Sequence, residues 1–117
     1  MPMWEQVVEI AENLPEVAES TSYGTPALKV RGKTFARLRT ESDGGLVAMC
    51  ALDEKQALLA EGAPFYTTPH YDGYGAILVD LEQVESGRLA EVLEDAWRTK
   101  APKRLIATFD EESPGAG

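Results

Sequence analysis

The stretch Ala27-Leu28-Lys29-Val30-Arg31-Gly32-Lys33-Thr34-Phe35-Ala36-Arg37-Leu38-Arg39-Thr40 decides the fold, because small or apolar side chains and cations alternate on both sides of one glycine. A period of two is the signature of a strand with one face on a core. Gly32 supplies the turn, so the stretch is an antiparallel hairpin. Leu28 and Val30 face inward while Lys29 and Arg31 face out. A three-residue loop at Arg31-Gly32-Lys33 pairs Val30 with Thr34, sending Ala36 and Leu38 inward and Arg37 and Arg39 outward. Strict alternation after a two-residue loop would turn Arg37 to the core, so the longer loop is expected. It leaves Phe35 on the outward face beside the arginines.

Outward from the hairpin, residues 19–23 are polar and β-compatible, and residues 24–26 break the chain. Asp43-Gly44-Gly45 signals a second turn. Residues 46–51 form an apolar run short enough for a strand buried on both faces. These connections are too short for parallel crossovers, so the strands form an antiparallel meander. Trp4, Val7, Val8, Ala11 and Leu14 recur at helical spacing, predicting a helix over residues 3–14 that Pro15 ends. A second helix is expected over 53–61, with Asp53 as cap, Gln56 three residues later and Gly62 as its stop. Residues 65–68, between two prolines, read as an edge strand or extended loop, and residues 76–81 as another buried strand. A last helix is expected over 88–100, stopped by Pro102, with Leu105, Ile106 and Phe109 docking a final helical turn. The order is helix, three strands, helix, one or two strands, helix. That order predicts an α+β fold, an antiparallel sheet with helices packed on one face. We read a single domain over residues 1–110 and a flexible polar tail over 111–117.

The 117 residues carry 11 Lys plus Arg against 20 Asp plus Glu, a net charge of −9. No apolar run reaches the roughly 18 residues of a membrane helix, and the start lacks a signal-peptide pattern, so a cytoplasmic protein is expected. Cys50 alone cannot build a disulfide framework, and His70 is the single histidine. The negative total hides a segregation. Lys29, Arg31, Lys33, Arg37 and Arg39 lie in one acid-free stretch, and Arg98, Lys100, Lys103 and Arg104 in another. Only Lys55 and Arg88 stand among the 20 acids elsewhere. Local sign outweighs net sign for a partner within a Debye length of about 10 Å. The nine segregated cations are therefore the candidate nucleic-acid-binding residues. As simple chemistry, they equally suit solvated strand edges or the end of a helix dipole.

Phosphate-loop, dinucleotide, HExxH and G-x-S-x-G motifs are absent from the sequence. The densest polar and aromatic stretch is Phe65-Tyr66-Thr67-Thr68-Pro69-His70-Tyr71-Asp72-Gly73-Tyr74-Gly75. Asp72 could orient His70 as a base, but such a run more often makes a turn with packed rings. Cys50, inside an apolar run, reads as a small hydrophobe, and Trp4 and Trp97 as core. The acids of the helices read as solvated faces. No catalytic residue, metal site or cofactor is expected.

Thr21-Ser22-Tyr23-Gly24-Thr25-Pro26, then Leu28-Lys29-Val30 and Gly32-Lys33-Thr34-Phe35-Ala36, resembles the MmcQ/YjbR family of small bacterial proteins. So do the middle helix leading into Pro64-Phe65-Tyr66 and the ending Ala96-Trp97-Arg98 with Ala101-Pro102-Lys103-Arg104-Leu105. The resemblance implies a frataxin-like (CyaY-like) α+β fold. It also implies DNA binding, through likeness to a double-wing domain that lays a sheet on DNA; that is an analogy of fold. It carries over no catalytic set. The expected function is a non-enzymatic module that docks its basic hairpin on double-stranded DNA, touching backbone more than bases. The alternative is a module for an acidic protein or an anionic metabolite, the latter near Tyr66, His70 and Tyr71, without nucleic acid. An enzyme using His70 is a third reading.

Overall fold

The computed structural model describes residues 4–22, 24–39 and 45–112. Four helices and six strands follow in the order α1 (Trp4–Ala11), β1 (Val17–Ser22), β2 (Thr25–Val30), β3 (Lys33–Leu38), β4 (Gly45–Met49), α2 (Leu52–Glu61), β5 (Phe65–Tyr66), β6 (Ala76–Asp80), α3 (Ser86–Lys100) and α4 (Lys103–Glu112). The strands form one sheet, ordered β1-β2-β3-β4-β6-β5, and every neighbouring pair is antiparallel. This is the expected α+β architecture, with one more strand before α2 than expected and β5 as a two-residue edge. The Asp43-Gly44 part of the second turn, Met3, Tyr23, Thr40 and residues 113–117 lie outside the described residues. α4 is a full helix rather than one turn and runs to Glu112, past the tail boundary read from composition.

The core lies between the sheet and the helices. Leu28, Val30, Ala36, Leu46, Ala48, Ile77 and Val79 meet Val7, Ala11, Leu89, Leu93, Ala96 and Trp97 there. Trp97 is fully buried, and its indole N–H donates to the Pro15 carbonyl at 3.0 Å, so the largest core side chain leaves no orphan donor. Phe109 packs edge-on against it at 5.2 Å, which docks α4.

The hairpin corrects the expected register. Its loop has two residues, since Val30 pairs with Lys33, and both Arg31 (φ 50°) and Gly32 (φ 81°) are left-handed. Two positive φ values in succession make the turn whose twist suits a tight hairpin. A bulge then follows: Lys29 pairs with Thr34 but Leu28 with Ala36, leaving Phe35 as the extra residue. One inserted residue shifts the alternation by one, so Arg37 returns to the outward face despite the short loop. Phe35 is consequently fully buried in the helix-side core, not outward as expected. The expected capping box on α2 also fails. Ala51 is the cap, and the Asp53 carboxylate accepts from the Glu54 N–H at 2.9 Å. Gly62 does end α2, with φ 82°. Among the described residues no helix is long and apolar enough to cross a membrane.

Candidate binding cleft on the outer sheet face

The sheet face away from the helices carries a row set by register. Ala27 pairs with Arg37, Arg37 with Val47, Val47 with Leu78, and Leu78 with Tyr66. Met49 and Ala76 form a second pair beside it. Residues 67–75 leave β5, fold back over this face, and rejoin the sheet at β6. Tyr71, Val47, Ala76 and Leu78 form a small second core there, with Met49 and Tyr66 against it.

The fold-back is held from its main chain. The Tyr71 and Asp72 amides donate to the Thr68 carbonyl at 2.9 and 3.0 Å, and the Tyr74 amide to the Tyr71 carbonyl at 2.9 Å. The Lys55 amine, from α2, donates to the carbonyls of both Tyr71 and Tyr74. Lys55 is only 4% exposed, so its charge is buried against carbonyl dipoles. At the loop's end a Cβ on Gly75 would sit 3.0 Å from the Cys50 carbonyl oxygen. A side chain there would press on that carbonyl, a crowding that glycine avoids, and the Cys50 amide donates to the Gly75 carbonyl at 3.0 Å.

Between loop and sheet lies an open cleft of about 340 Å³ lined by Arg37, Val47, Met49, His70, Tyr71, Tyr74 and Ala76. The Arg37 guanidinium donates to the Tyr71 hydroxyl at 2.6 Å. The Arg39 guanidinium lies 5.9 Å from the Tyr71 ring centroid, within cation–π range. His70 is exposed and meets Tyr71 edge-on at 4.9 Å, while Asp72 faces the Thr67 hydroxyl at 3.5 Å. His70 thus packs on a ring, as the reading of this run as a turn with packed rings expects, and Asp72 faces Thr67. Sequence reasoning reached Arg37, His70 and Tyr71 and missed Val47, Met49, Ala76 and Lys55. Alternation along β4 would have put Val47 and Met49 on the face of Arg37.

The nine sequence-predicted cations separate. Lys29, Arg37 and Arg39 share the outer face, Lys29 by alternation with buried Leu28 and Val30. Arg31 sits in the hairpin turn and is paired with Glu16, one contact being 3.0 Å; each holds the other's charged form, so the Glu16 pKa is lowered and the Arg31 pKa raised. Lys33, opposite Val30, is exposed at the hairpin end. Arg98 lies in the helical layer, bonded to Asp110 at 2.6 Å and Glu94 at 3.1 Å. Those bonds raise the Arg98 pKa and lower that of Asp110. Lys100 ends α3, and Lys103 and Arg104 open α4, both exposed. The two acid-free stretches thus belong to different layers, the first to the sheet and the second to the helices.

Cys50 is buried, and burial raises its thiol pKa to about 11, which suits an inert core thiol rather than a nucleophile. Among the described residues no three His, Cys, Asp or Glu side chains gather as a metal site would need.

Comparison with known proteins bears on the whole fold. The family model YjbR matches residues 12–99. Uncharacterized proteins of Mycobacterium tuberculosis (strain ATCC 25618 / H37Rv) and Mycobacterium bovis are each 34% identical to the chain, covering 93% of it and 96% of their own lengths. The crystal structure of a Deinococcus radiodurans protein with the family-model domain DUF419 superposes with a TM-score of 0.69. It covers 83% of this chain and 77% of its own at 18% identity, a likeness of fold.

Proposed function

The chain belongs to the YjbR family, and from that premise we propose that it is a non-enzymatic module that takes the phosphate backbone of double-stranded DNA on its outer sheet face. The observation that carries this reading is the placement of Lys29, Arg37 and Arg39 on the face opposite the helices. The helices carry Glu5 and Glu9, Asp53, Glu54 and Glu61, and Glu91, Glu94 and Asp95. The molecule is therefore polarised, acidic on its helical side and basic on its sheet side, which turns the sheet toward a polyanion as it approaches. The contact rests on these three because they share one sheet face, whereas Lys33 lies at the hairpin end and Arg98, Lys100, Lys103 and Arg104 belong to the helical layer. Among the described residues no recognition helix faces that side, so contacts position without reading sequence.

Three phosphate contacts give a salt slope of about −3, a loss of roughly 40-fold between ~50 and ~200 mM salt. Fluorescence anisotropy with a labelled mixed-sequence duplex measures it. The paired reversal Lys29→Glu with Arg39→Glu should abolish binding, whereas Lys103→Glu with Arg104→Glu should leave it within about twofold. Absence of binding at ~50 mM salt, or equal effects of the two reversals, overturns the reading.

A further inference from the structure

We propose that the outer-face cleft binds a single unpaired nucleotide, its base against the Tyr74 ring and its phosphate at Arg37. This goes beyond backbone contact with a duplex, whose bases stay stacked inside the helix and cannot enter a cleft. Four features of the cleft specify the ligand. The floor is apolar, with Val47 and Ala76 buried beneath it and the half-buried Met49 as the side chain that meets a ring. The Arg37 guanidinium stands at the side, oriented by its bond to the Tyr71 hydroxyl, and supplies the charge for a phosphate. The Tyr71 and Tyr74 rings lie 6.1 Å apart and tilted, so they form a wall rather than a closed stack. The volume of about 340 Å³ is at the small end of ligand clefts, enough for one ring system with one charged substituent.

Tyr74 is the informative residue. Tyr74 is 60% exposed, one of two large hydrophobic residues so exposed among the described residues. Its backbone is fixed on every side. Its amide donates to Tyr71, its carbonyl accepts from Lys55 and from the Ala76 amide at 2.9 and 2.8 Å, and Lys55 itself is buried. An exposed ring on an immobile backbone loses little freedom when a base stacks on it. Stacking on an aromatic ring tolerates any base, so the cleft selects nucleotides as a class.

The test is calorimetric titration of the full chain with thymidine monophosphate, inorganic phosphate and a short oligothymidylate. Thymidine monophosphate should bind more tightly than phosphate. Tyr74→Ala should weaken it by about 5- to 150-fold, the range for loss of one stacked base, while Tyr74→Phe stays within about twofold. The source of the base follows from the third arm. Oligothymidylate binding more than about tenfold tighter than the mononucleotide identifies an unpaired strand, and equal affinity a free nucleotide; both fill the same cleft. Lys29→Glu, outside the cleft, should weaken duplex binding and spare the mononucleotide, so the two readings fail separately. Thymidine monophosphate binding no better than phosphate, or unmoved by Tyr74→Ala with a wild-type melting temperature, overturns the proposal.

Discussion

Lys55 stands in α2 between Glu54 and Gln56, where a lysine reads as part of a solvated helix face, yet its side chain is buried. Burying an ammonium is costly unless acceptors replace its water, and here the Tyr71 and Tyr74 carbonyls do so. The same bonds give each loop carbonyl a second donor, beside the Tyr74 amide on Tyr71 and the Ala76 amide on Tyr74. Lys55→Met keeps the aliphatic stem and removes the donors. It should cost about 1.5–3 kcal/mol, the range for hydrogen bonds to a charged group, read as a drop in the urea midpoint. An unchanged midpoint would mean water replaces the amine at no cost. Nothing local in the sequence announces this role, because both acceptors lie on a loop 16 and 19 residues away. Arg37 and Tyr71, by contrast, were legible as candidates: one from strand alternation, the other from the density of rings around it.

β3 shows why alternation can give the right face for the wrong reason. The outward placement of Arg37 and Arg39 follows on paper from a three-residue loop, but the chain reaches it with a two-residue turn and a bulge at Phe35. Loop length and bulge compensate, and no pattern of period two distinguishes the pairs. Phe35 breaks the tie, since burying an aromatic ring in the core outweighs one lost ladder position. The α2–α3 contact has a feature that helix periodicity also hides. Glu54 meets Asp95 of the neighbouring helix, and their hydrogen bond, with burial, raises the Glu54 pKa above its ordinary 4.5, Arg88 opposing weakly. A raised carboxyl pKa contributes stability that is present below 4.5 and is lost as pH rises through the folded-state value. Above that window two carboxylates face each other. Glu54→Gln removes the repulsion and keeps the hydrogen-bonding shape, so its urea midpoint should exceed that of the parent at pH 7. The gap should shrink at pH 4. A gap that is equal at both pH values, or larger at pH 4, contradicts the pairing.

At the scale of the whole molecule, the sheet is covered unequally. Among the described residues, helices cover one face, while the other is covered only where residues 67–75 lie across β4 and β6. This explains a contrast already visible in sequence. β4 and β6 are continuous apolar runs because both of their faces are buried, whereas β2 and β3 alternate because their outer face is open. The uncovered half holds Lys29 and the covered half ends at the cleft, with Arg37 at the boundary between them. The same asymmetry orders local stability. β4 lies between β3 and β6 with its first four residues buried, whereas β1 is an edge strand whose residues Glu19 to Thr21 are exposed. Opening β4 requires disrupting both layers, while β1 can detach by breaking one ladder. Amide hydrogen exchange followed by mass spectrometry should therefore give the slowest amides in β4 and β6 and exchange in β1 faster by at least about tenfold, a local opening that costs less than global unfolding. Equal protection in β1 and β4 would mean the sheet opens as one unit. The cleft would then have no rigid floor distinct from its open neighbour.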